Sequence, residues 1–110
     1  MKVDIDRLLR ENQARILANR RSVERTHFVR PVLIDMTPRL AERVTAFSRD
    51  ISRNAVGIVS DLPWEVGTIA TLHIHSLSGS PVRVRSDVRW CEPYGKGWYL
   101  SGWRFLECSV

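Results

Sequence analysis

Apolar residues recur along this 110-residue chain with two different periods. Over residues 4 to about 18, Ile5, Leu8, Leu9 and Ile16 fall near one face of a helix, with Asn12 interrupting it. Asp4 and Asp6 sit where the helix dipole favours anions, and Arg15 and Arg20 lie toward the other end. The stripe is narrow, so this helix needs a partner surface to be stable. Residues 19–26 are polar and basic, without periodicity, and read as a loop. From Phe28 onward the pattern becomes that of strands. Expected strands cover residues 28–36, 43–52, 56–60, 68–77, 82–92 and 98–107, with Pro31 marking an edge or a strand start. Ser78-Gly79-Ser80-Pro81 and Tyr94-Gly95-Lys96-Gly97 supply turns. In the clearest strand Val82, Val84, Val88 and Trp90 alternate with Arg83, Arg85, Asp87 and Arg89, which predicts two opposite faces. One helix followed by six strands at hairpin spacing predicts a mainly β protein, a small six-stranded antiparallel barrel. The helix is assigned to residues 1–19 and the barrel domain to residues 20–110.

The size allows one hydrophobic core. No apolar run reaches the ~20 residues of a membrane span, and the first residues lack the apolar segment of a secretory leader. Cys91 and Cys108 have no metal spacing. Together these favour a soluble protein in the reducing cytoplasm. The net charge of +5 invites an anionic partner, and residues 1–30 hold eight basic against four acidic side chains. Fifteen of the seventeen cations are Arg, whose planar forks grip phosphates and the O6/N7 edge of guanine.

Two clusters sharpen this. Arg20-Arg21-Ser22-Val23-Glu24-Arg25 places two arginines four positions apart, and Asp50-Ile51-Ser52-Arg53-Asn54-Ala55-Val56-Gly57 joins an acid and a hydroxyl on alternate positions to a tight-turn glycine. Asp and Ser at i and i+2 of an extended strand point to the same side and can share a ligand. Donors on one wall and an acceptor on the other describe a pocket for a guanine nucleotide. Taken alone, Asp50 and Ser52 also read as a turn device that caps backbone N–H groups. Arg49 and Arg53 alternate away from the pocket and read as surface charge.

The chain resembles the PilZ domain family, whose signature is an RxxxR loop followed about two dozen residues later by [D/N]xSxxG. Arg21 and Arg25 match the first part, and Asp50 and Ser52 the second; the resemblance extends over residues 20–107 through Leu62-Pro63, Val88-Arg89-Trp90 and Gly102-Trp103-Arg104-Phe105. It implies a barrel that binds cyclic di-GMP. Arg21 and Arg25 would contact phosphate and the Hoogsteen edge of guanine, Asp50 would accept from N1–H and N2–H₂, and Ser52 would add a hydrogen bond. Arg20 is either a solvated cation or an aid in holding a second ligand. Ala55 replaces the last Gly of the motif, which costs affinity if that position needs a positive φ or close approach of a base.

The resulting expectation is a bacterial receptor module, not an enzyme and without a cofactor, that relays cyclic di-GMP binding to a protein partner. A chain of this length would be expected to act without an output domain of its own, so its signal would leave through contact with that partner. The N-terminal helix would move against the barrel or mediate a homodimer. Two other readings stay open: a PilZ-like adaptor that has lost its nucleotide, and a small basic barrel that binds single-stranded nucleic acid by stacking. His73 and His75 alternate on one strand, but no third ligand has metal-site spacing.

Overall fold

The computed structural model describes residues 2–11, 26–36 and 43–106. Helix α1 spans Lys2–Glu11, and the strands are β1 (Thr26–His27), β2 (Pro31–Asp35), β3 (Arg43–Ile51), β4 (Ala55–Ser60), β5 (Ile69–Ile74), β6 (Val82–Gly95) and β7 (Trp98–Phe105). Six of them, in the order β3-β2-β5-β6-β7-β4, form an antiparallel ring that the β3–β4 pairing closes. The short β1 pairs with β3 beyond the end of β2. The strand expected over 28–36 is therefore broken: residues 28–30 interrupt it, and β2 starts at Pro31, which has no N–H to give a neighbour. The helix expected as far as about residue 18 is seen to Glu11; the rest of it, and the basic loop up to Arg25, lie outside the described residues.

Inward positions of the ring make the core, with Ile34, Ile58, Leu72, Ile74, Val88 and Trp103 fully buried. Ile5 and Leu8 of α1 join the same cluster. Each such burial is worth about 1.5–3 kcal/mol, which a ten-residue helix needs because it is too short to persist alone.

Polar contacts fix where the helix sits. Glu11 accepts hydrogen bonds at Oε1 from Arg30 Nη1 (2.7 Å) and the Leu77 N–H (3.1 Å), and at Oε2 from the Ser76 and Ser78 hydroxyls (2.7 Å each). Burial alone would raise the Glu11 pKa, but the donors from Ser78, Arg30, Leu77 and Ser76 together hold it well below the usual carboxylate range. Arg7 donates to the Ser80 carbonyl (3.0 Å), and Asp6 pairs with Arg53 at 3.4 Å. The helix thus bridges the β3–β4 turn and the β5–β6 turn. Elsewhere Trp64, in the β4–β5 connection, packs edge-on against Trp103 (ring centroids 5.3 Å apart) and donates its indole N–H to Ser60 Oγ (3.0 Å).

Candidate functional site

The site is built on a β-bulge. Ser48 points inward, where its hydroxyl accepts from the Arg30 N–H (2.9 Å) and donates to the Phe28 carbonyl, while the Phe28 N–H donates to the Arg49 carbonyl (2.8 Å). Ser48 is in register with Ile58 and Asp50 with Gly57, so Arg49 is an extra residue in β3. After it the inward and outward positions exchange. Ile51 enters the core, and Asp50 turns to the outer face, 6 % exposed.

Arg49 does not alternate away from Asp50 as regular pleating predicts. The bulge brings the two side chains together, and Arg49 donates from Nε (2.8 Å) and Nη2 (2.7 Å) to Asp50 Oδ2. Its guanidinium carbon lies 5.9 Å from the centroid of the Tyr94 ring. Asp50 first, and then the Tyr94 phenol, push the guanidinium pKa still higher.

Across the outer surface Asp50, Gly57, Gly102 and Trp90 stand in register on β3, β4, β7 and β6. Gly57 is not a turn residue. It lies within β4, and a Cβ there would come 2.7 Å from Asp50 Oδ1, so the missing side chain is the space the carboxylate occupies. Gly102 does the same for Trp90, whose indole fills the position a Cβ would take. Trp90 was expected on the face of Val82, Val84 and Val88. A second register shift, between Val88 and Trp90, turns it outward, and the next residue, Cys91, takes an N–H from Trp64 at its sulfur (3.4 Å). A carboxylate and an indole, each turned outward by a bulge, therefore lie over Gly57 and Gly102 of the paired strands β4 and β7.

Ser52 lies one residue beyond β3, in the turn to β4. Its hydroxyl accepts from the N–H groups of Ala55 (3.2 Å) and Asn54 (3.3 Å), and its own N–H donates to the Ala55 carbonyl (2.8 Å). The turn is thus a side-chain-capped one. Ala55 opens β4 in register with Arg104 and, like Asn54, has no positive φ; among the described residues Lys96 is the one non-glycine that does. The alanine at this motif position strains no backbone. Arg53 is exposed and faces α1.

Arg20, Arg21 and Arg25 lie outside the described residues. The residue that follows them does not: Thr26 pairs with Ile51 and His27 with Asp50. Thr26 and His27 thereby run beside Ile51 and Asp50 of β3.

Residues 19–110 match the PilZ domain family. The chain belongs to that family. PilZ domains are cyclic di-GMP-binding modules rather than enzymes. No curated protein sequence matches the chain. In this PilZ domain β1 pairs with β3, a long-range contact between Thr26–His27 and Asp50–Ile51 that no local pattern displays. Arg49, Trp90, Tyr94 and Gly102 were missed as a group because strict alternation hides a bulge. Among the described residues no three His, Cys, Asp or Glu side chains gather as a metal site, and no helix is long and apolar enough to cross a membrane. His73 Nε2 instead lies 3.6 Å from Asp35 Oδ2.

Proposed function

We propose that this PilZ domain is a receptor for cyclic di-GMP, binding it on the outer face around Asp50 and relaying occupancy to a protein partner. The observation that carries the reading is the β1–β3 pairing, which sets the chain just after Arg25 alongside Asp50. Arg21 and Arg25 supply charge-assisted donors to phosphate and to guanine O6/N7, worth about 1.5–3 kcal/mol each. Asp50 accepts from the guanine N1–H and N2–H₂, and Trp90 offers an aromatic wall. Ser52 serves chiefly by holding the turn, and Arg20 would engage a second guanine. The relay runs through α1, because Asp6 touches Arg53 in the same turn that carries Ser52.

A second reading, an adaptor that binds protein and no nucleotide, draws support from Ser52 being used within its own turn and from Ala55 at the motif glycine. Calorimetric titration separates the two. Wild type should give saturable heat with cyclic di-GMP and none with cyclic di-AMP, and Arg21→Ala should weaken binding at least tenfold. No heat from folded protein favours the adaptor, and wild-type affinity in Arg21→Ala overturns the site assignment.

A further inference from the structure

Arg49 stands where only a bulge can put it. Successive residues of a regular strand point to opposite faces, so a guanidinium from one residue does not ordinarily reach the carboxylate of the next along the same face. Here Ser48, hydrogen-bonded to the backbone of Phe28 and Arg30, locks the extra residue in place, and Arg49 and Asp50 share one side.

We propose that Arg49, braced by Tyr94, is a positioning residue that orients the Asp50 carboxylate and so sets the preference for guanine. The proposal rests on the reading above that Asp50 accepts a guanine edge. The terminal torsion of Asp is soft and has no sharp staggered wells. Guanine presents N1–H and N2–H₂ side by side, so an acceptor must hold its plane to meet both. Among the described contacts, the absent Cβ of Gly57 leaves the carboxylate room to lie against β4, and the Arg49 fork grips Oδ2 through Nε and Nη2. A lysine would bring the charge without the planar fork. Tyr94 projects from the β6–β7 hairpin beside the guanidinium, so this hairpin braces the acid from the far side of the row.

The alternative is that Arg49 acts only as one more cation near an anionic ligand. It would then help every cyclic dinucleotide equally. The two roles separate in a ratio: affinity for cyclic di-GMP against its inosine analogue, which lacks the N2 amino group. Titrations would compare wild type, Arg49→Gln and Tyr94→Leu, each shown to be folded by circular dichroism. Wild type should prefer the guanine ligand by about tenfold or more, as loss of a hydrogen bond to a charged group implies. Arg49→Gln should lower affinity and bring the ratio to within about threefold of unity, and Tyr94→Leu should move it the same way by less. Equal weakening of both ligands by Arg49→Gln, with the ratio intact, overturns the proposal. Should Arg49→Gln fail to fold, Arg49→Lys takes its place: a reduced ratio supports the fork, and a wild-type ratio overturns it. Wild-type protein that binds neither ligand sinks the receptor reading and this proposal together, an outcome distinct from wild-type binding with an unmoved ratio.

Discussion

A methyl group on Gly57 would stand 2.7 Å from Oδ1 of Asp50, well inside contact distance. The carboxylate ends a short rotatable side chain, so it gives way before the backbone does. Gly57→Ala is therefore expected to melt within a few degrees of wild type by scanning fluorimetry while binding cyclic di-GMP about tenfold more weakly, the cost of one misplaced hydrogen bond to a charged group. A large fall in melting temperature would show instead that the strand itself cannot accept the methyl. Ala55 is the opposite case. Its position suggests a lost glycine, yet its backbone is ordinary and its methyl forces no strained torsion. In this chain the close approach is at Gly57, two residues further on.

At the scale of elements, the regular parts of the barrel were legible and the irregular parts were not. Apolar alternation gives the inward face of β6 through Val82, Val84 and Val88, and Pro31 marks the start of β2. Alternation then misplaces Arg49 and Trp90, because a bulge shifts the phase without leaving a local mark in composition. The docking of α1 was legible only as a need for a partner. Its anchor, Glu11, draws on residues 65 to 67 positions away in sequence. That anchor makes a pH prediction. The folded pKa of Glu11 is depressed, so its stabilisation is complete above its ordinary value of 4.5 and is lost as the pH falls below that toward the folded value. Glu11→Gln should cost on the order of 3 kcal/mol at neutral pH, because buried Arg30 loses its counter-charge. Thermal melts on either side of pH 4.5 should show wild type losing stability on acidification and the variant losing less. Parallel acid losses in the two proteins would assign the transition to another group.

For the whole molecule, the allocation of apolar surface bears on assembly. α1 commits Ile5 and Leu8 to its own barrel, so a dimer built on that face must first undock the helix and expose both side chains. The protein is expected to run as a single chain at micromolar concentration by light scattering, and Ile5→Asp should promote unfolding rather than dissociation. A concentration-dependent dimer that Ile5→Asp returns to a folded monomer would place the helix between subunits. The glycines in register on β4 and β7 reach further than any one contact. Every base substitution at a glycine codon that changes the residue adds atoms, and at both positions those atoms enter space already held by Asp50 or Trp90. The core on the inner side of the wall is untouched by such a change. A barrel of the same fold with a disturbed outer face is thus a single nucleotide step away at either codon, whereas the return requires that one codon to revert.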